Sequence, residues 1–232
     1  MNFTMNTADL IYTASTWVIP VLFAVTLHEA AHGYVAWWLG DDTAYRQGRV
    51  TLNPINHIDP FGTILLPAML FIFRAPFLFG WAKPVPVAFG RLHKPRRDMV
   101  FVAAAGPGTN LILAAISAVL FHVVVFLPAG FDEWTARVLY NSIMLNLVLA
   151  VFNMLPIPPL DGGRVAVGLL PDVLARPLAR LEPYGMLILI GLIFILPILG
   201  RQLGIRLDLF NTLVWWSVER LLPLFMSLAG MH

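Results

Sequence analysis

Apolar residues gather along the chain in runs of about twenty, separated by short polar breaks, and runs of that length read as membrane-spanning helices. Five are predicted, over residues 11–39, 99–127, 135–155, 184–199 and 209–228. The first is longer than a bilayer requires, which predicts a tilt or a protruding end. Trp37 and Trp38 near its end suit an interfacial belt. A sixth apolar stretch, 61–80, is broken by Pro67 and Pro76 and contains Arg74.

The polar breaks orient the chain. Arg46 and Arg49 lie in 41–60, and Lys83, Arg91, Lys94, Arg96 and Arg97 lie in 81–98. Both breaks fit the cytoplasmic side, where basic loops concentrate. The break at 128–134 holds Asp132 and Glu133 and no base, and fits the outside. With two basic flanks on one side, 61–80 is expected to re-enter or to lie peripherally against protein; a full sixth span is the alternative. The expected fold is a single all-α polytopic membrane domain over 1–232. It has five or six transmembrane helices and a re-entrant or extended segment near residues 61–90, with the N-terminus outside and the C-terminus inside. One loop resists: 200–208 carries Arg201 and Arg206, yet this arrangement puts it outside. There is no internal repeat or low-complexity tract.

Composition agrees with this pattern. Hydrophobic residues make up 59% of the chain and charged ones 12%, where a soluble domain is nearer a quarter charged. The basic residues are scattered among short loops rather than gathered on one face, so nucleic acid is not an expected partner. With no cysteine, a disulfide framework, a thiolate zinc site and a cysteine nucleophile are excluded. The first ten residues lack Lys and Arg, so the first apolar run is expected to be retained rather than removed as a secretory signal.

Against this background the polar residues of the first run stand out. "HEAAH", residues 28–32, sets His28 and His32 four apart, which puts both imidazoles on one helix face about a turn apart. They can grip one metal ion. Glu29, one position along, can reach a water on that metal as a general base. Zinc suits imidazole ligands and brings no redox chemistry. From this composition about 0.003 chance matches are expected, so the pattern is specific. A cluster that merely glues helices is the plainer reading, but ionisable groups at membrane depth are costly and by default functional. His32 precedes Trp37 by five residues, or about 8 Å of helix, which predicts a site inside the bilayer near its cytoplasmic face.

A catalytic zinc takes a third protein ligand and leaves one position open. "NMLPIPPLDGG", residues 153–163, ends one span, and Pro156, Pro158 and Pro159 forbid a regular helix there. Asp161 within it is the preferred third ligand; its plainer role is to cap the following helix. His57 and His93 are rivals, set aside because their basic loops should be wet.

Taken in order, "HEAAH", "GWAKPVPV" (80–87), "AAAGPGTN" (103–110) and "NMLPIPPLDGG" resemble the site-2 proteases, the family of intramembrane zinc metalloproteases. The first and last motifs are specific in combination; the middle two are supportive. The resemblance implies that His28, His32 and Asp161 bind one zinc ion, that Glu29 activates water, and that Asn153 helps hold the substrate backbone or the oxyanion. Read from the residues alone, Asn153 more often braces backbone at a helix end, Asn110 more often packs helices together, and Lys83 anchors a loop at the headgroups. The resemblance also implies that "KPVPV" pairs with an unfolded substrate strand; a surface turn explains it nearly as well. The resemblance is to a short form, expected to be without the PDZ or nucleotide-sensing domain that many members carry.

The expected function is hydrolysis of peptide bonds in or near transmembrane segments of membrane-anchored regulatory proteins, by zinc-activated water with Glu29 as the base. The expected partners are that substrate and the lipid bilayer of the cell membrane. The alternative is a membrane metal transporter using the same His/Glu/Asp cluster as a transit site. A transporter should show symmetric broken helices, and only one such ligand pair is present.

Overall fold

Helix α1, Thr7–Trp38, buries Thr16, Pro20, Ala24, His28, His32 and Ala36, a stripe that repeats every four residues down one face. All are small or polar, while Ile11, Val18 and Phe23 on the other faces stay exposed. In lipid this is the stable partition, because large apolar side chains gain nothing by leaving hydrocarbon and small ones let helix backbones approach. The computed structural model describes residues 7–65, 69, 80, 82–205 and 207–231. Among them every regular element is helical.

Past α1 come the single turn α2 (Thr43–Arg46), a 3-10 turn at Pro54–His57, a π turn at Pro60–Leu65 and a further 3-10 turn at Phe89–Arg91. Two long helices follow, α3 (Pro95–Val124) and α4 (Phe131–Asn153). Shorter ones are α5 (Asp161–Leu169), α6 (Asp172–Ala179), α7 (Gly185–Ile190) and α8 (Leu196–Gln202), with a π turn between the last two; α9 is Leu209–Leu228. Four helical stretches are long and apolar enough to cross a membrane: Thr7–Trp38, Pro95–Val124, Phe131–Asn153 and Asp172–Gln202. The expected fifth span, α9, has the expected bounds but is not among those four; Glu219 and Arg220 lie within it. Most of the segment 61–80 lies outside the described residues.

The long helices begin about four residues earlier than hydropathy places them. In α3 the first turn is Pro95, Arg96, Arg97 and Asp98, where proline suits the first helical position and the charges sit at the water boundary. Arg96 from this turn donates to the carbonyls of Gly168 and Leu170 and pairs with Asp172 at 2.6 Å. It thereby ties the far end of α5 to α3.

At the centre α3 packs on α1, α4 and α5, and α9 covers α4 and α3. The main core joins Ala114 and Ala118 of α3, Ile143 and Leu147 of α4, and Phe210, Val214 and Val218 of α9. A smaller core, Ala36, Leu92 and Val102, closes the end of α1 over the loop that follows residue 88.

Candidate metal centre

His28 and His32 project from one face of α1 into the angle between α1 and α3. Both are only 8% exposed, and their Nε2 atoms lie 3.1 Å apart. Each ring is held from behind. His28 Nδ1–H donates to Asn110 Oδ1 at 2.5 Å and His32 Nδ1–H donates to the Val102 carbonyl at 2.7 Å. Protons at both Nδ1 atoms leave two lone pairs at Nε2, the arrangement that metal-binding histidines adopt.

Asp161 arrives from the other side. The chain breaks after α4 at Met154, turns through Pro156, Pro158 and Pro159, and restarts as α5 with Asp161 as its first residue. The turn is tight enough that a Cβ on Gly162 would collide with the main-chain carbonyls of Met154 and Leu155, so only glycine follows the aspartate there. Leu160, not Asp161, holds the cap position of α5. Asp161 Oδ2 is 3.3 Å from both His28 Nε2 and His32 Nε2, yet it is buried and hydrogen-bonded to neither. A buried carboxylate oxygen without a donor is costly, and two imidazole lone pairs facing it make the cost worse. A cation shared by the three atoms removes both penalties. The donor set fits zinc, with two imidazoles and one carboxylate, and the three ligand atoms lie within 4.8 Å of one another.

The roof of the site is α3. A Cβ on Gly106 would sit 2.6 Å from His28 Nε2 and closer still to His32 Nε2. "AAAGPGTN" is therefore more than supportive, because its first glycine makes room for the histidines and its asparagine holds one of them. The signal was a glycine and a proline inside an apolar helix, where neither is favoured; which helix they face is not written locally.

Glu29 is half-buried, and its Oε2 accepts the Val85 N–H at 2.8 Å. It belongs to a set of contacts that fix residues 82–88, a stretch without helix. Lys83 N–H donates to the His57 carbonyl at 2.9 Å. Arg49 Nη2 donates to the carbonyls of Lys83 at 2.7 Å and Pro84 at 3.3 Å. Ala88 N–H donates to Asp41 Oδ2 at 2.6 Å. Asp41 and Arg49 are buried, and sequence reasoning missed the first and misread the second. Arg49, read in the sequence as one charge of a basic cytoplasmic break, braces the segment instead. The Lys83 side chain is exposed, as an anchor would be.

Asn153 is not drawn into the cluster. Its Nδ2 donates to the Leu149 carbonyl one turn back at 3.1 Å, the bracing role read from the residue alone. Of the rivals, His93 is exposed, as expected, but His57 is buried, with Nε2 on the Thr51 carbonyl at 3.0 Å. Neither reaches the histidine pair.

Comparison with known proteins agrees with this geometry. Over 185 residues the chain is 44% identical to the "Putative zinc metalloprotease YwhC" of Bacillus subtilis, covering 78% of this chain and 80% of that one. It is 32% identical over 200 residues to the "Putative zinc metalloprotease Rip2" of Mycolicibacterium smegmatis, covering 85% and 71%. The Mycobacterium tuberculosis protein of the same name is 31% identical over 191 residues, covering 82% and 71%. Residues 129–197 match peptidase family M50. The chain belongs to peptidase family M50. It is a zinc metalloprotease with a multi-pass membrane fold. No solved structure matches it. The transporter alternative finds no support among these relatives.

Proposed function

We propose that this M50 peptidase cleaves peptide bonds in or near the transmembrane segments of membrane-anchored regulatory proteins, with His28, His32 and Asp161 holding its zinc and Glu29 as general base. The observation that carries the reading is Asp161 Oδ2, buried, without a hydrogen bond and equidistant from the two imidazole nitrogens.

Held by His28, His32 and Asp161, zinc would supply Lewis-acid polarisation of the scissile carbonyl and would lower the pKa of the attacking water. The chain's own groups do the rest. Glu29 has Oε2 occupied by Val85 N–H and Oε1 open, so Oε1 takes the proton from the attacking water and returns it to the leaving nitrogen. Asn153 spends one of its two amide donors on Leu149; the other is free for a substrate carbonyl lying along the break after α4. Asn110 and the Val102 carbonyl hold the rings so that no reorientation is required during the reaction.

The cytoplasmic placement rests on charge. The site lies where α1 ends, α3 begins and α4 ends. The same end carries Arg46, Arg49, Lys83, Arg91, Lys94, Arg96 and Arg97, while Asp132 and Glu133 mark the other end.

The test is the Glu29→Gln variant, purified with its zinc content measured and assayed on a membrane-segment peptide. Cleavage lost with zinc retained supports the reading; cleavage at the wild-type rate defeats it.

A further inference from the structure

His28 is the near end of a line of buried side chains that runs from the site into the helix core. Its Nδ1–H donates to Asn110 Oδ1 at 2.5 Å. Asn110 Nδ2 donates to Asn146 Oδ1 at 2.8 Å and lies 3.4 Å from the Ala24 carbonyl. Asn146 Nδ2 donates to the Ser142 main-chain carbonyl at 2.8 Å and reaches Ser142 Oγ at 3.3 Å. Ser142 Oγ is in turn 2.8 Å from Ser117 Oγ. Asn110 and Asn146 are 0% and 1% exposed, in a part of the molecule where an unpaired amide has no water to turn to.

The line has a direction. Neutral imidazole and carboxamide groups each offer one donor side and one acceptor side, and either can face a neighbour. A main-chain carbonyl only accepts. The Ser142 carbonyl therefore draws Asn146 Nδ2 toward itself and turns Asn146 Oδ1 toward Asn110. Asn110 must answer with Nδ2, which leaves its Oδ1 facing His28. His28 must then carry its proton on Nδ1, and the lone pair stays on Nε2, facing His32 and Asp161. The Ala24 carbonyl, at 3.4 Å, favours the same orientation of Asn110 but is beyond the usual N–H···O range, so the 2.8 Å bond to Asn146 dominates.

We propose that Asn146 is a positioning residue for the metal centre: it fixes the Asn110 amide, and through it the tautomer in which His28 faces the metal. This deepens the reading above and rests on it for the role of His28 as a ligand. Asn146 is hydrogen-bonded to none of His28, His32 and Asp161 and reaches the site through Asn110. A buried amide that only joins helices is present nearby for comparison. Asn141, on the same helix, donates to Thr16 Oγ1 at 3.1 Å and to the Thr16 carbonyl at 3.3 Å, with no connection to the histidines.

The experiment uses the full chain in detergent with Asn146→Leu, Asn146→Asp and Asn141→Leu. Zinc affinity is measured by chelator competition, and the His28 tautomer is read from histidine nitrogen NMR of metal-free protein. Wild type should carry the His28 proton on Nδ1. Asn146→Leu should bind zinc about tenfold more weakly, the size of effect typical of groups behind a metal ligand, and should show a mixture of His28 tautomers. Asn146→Asp keeps an acceptor toward Asn110, so it should stay within about threefold of wild type in affinity with the Nδ1 proton in place. Asn141→Leu should change neither readout, whatever its thermal stability. Wild-type affinity and tautomer in Asn146→Leu, or a loss in Asn146→Asp equal to that in Asn146→Leu, overturns the proposal. If Asn146→Leu does not fold, Asn146→Ala takes its place with the same outcomes. A wild-type chain that binds no zinc would defeat the metal reading instead, and the tautomer comparison would still decide the role of Asn146.

Discussion

The Val85 amide donates to Glu29 Oε2 at 2.8 Å across 56 residues of chain. The residue that acts as base in the proposed reaction is thus held by the non-helical stretch beside the site, not by its own helix. Glu29→Gln keeps an acceptor for that amide, so fold and zinc content should match wild type. Peptide cleavage should fall by about 10²- to 10⁴-fold, the usual contribution of a positioned general base. Zinc content and turnover measured on one sample check both halves.

Arg49 holds the other side of that stretch through the Lys83 and Pro84 carbonyls. Arg49→Ala should free residues 82–88, seen as faster hydrogen exchange at the Lys83 and Val85 amides. Cleavage should drop by about tenfold while bound zinc stays constant, because the loss is one of positioning. Unchanged exchange at these amides would refute the bracing role.

Asp161 distinguishes metal-loaded from metal-free protein. Asp161→Asn removes a buried charge that has no donor, so metal-free variant should melt no lower than metal-free wild type. Its zinc affinity should fall by more than about a hundredfold, exceeding the loss expected for groups behind the ligands. The stabilisation that zinc confers on wild type by mass action should vanish with it. Melting curves with and without added zinc give both numbers.

Gly106→Ala should raise helix propensity by about 1 kcal/mol and still abolish the site, since the new methyl would lie 2.6 Å from His28 Nε2. Retained helicity by circular dichroism with zinc lost is the expected outcome. Full zinc retention would mean that α3 yields at this contact.

Much of the molecule was legible in its residues. Long apolar runs gave α1, α3 and α4 to within about four positions, because crossing a bilayer is a constraint on length and hydropathy alone; they also gave the bounds of α9 as a helix, though it is not among the four stretches apolar enough to cross. His28, Glu29 and His32 stood out because a polar triplet at helical spacing is anomalous in lipid. Asp161 was weaker, since an aspartate before a helix has a common capping role; in the structure Leu160 holds the cap position and Asp161 is the first helical residue. The least legible parts were Arg49 and Asp41. Both looked like ordinary loop charges, and only the return of residues 82–88 to the end of α1 buries them.

By itself, then, the sequence determined the membrane-spanning helices and the pair of imidazoles one turn apart, because hydropathy, helix length and an i, i+4 register are local quantities. Tertiary structure decided how closely the Asp161 carboxylate, only the preferred candidate in the sequence, meets those imidazoles, that Gly106 leaves room above them, and that Asn110 and the Val102 carbonyl of α3 hold the two rings from behind. These are distances between segments far apart in the chain, fixed by how closely small-residue helix faces pack, and no local pattern encodes them.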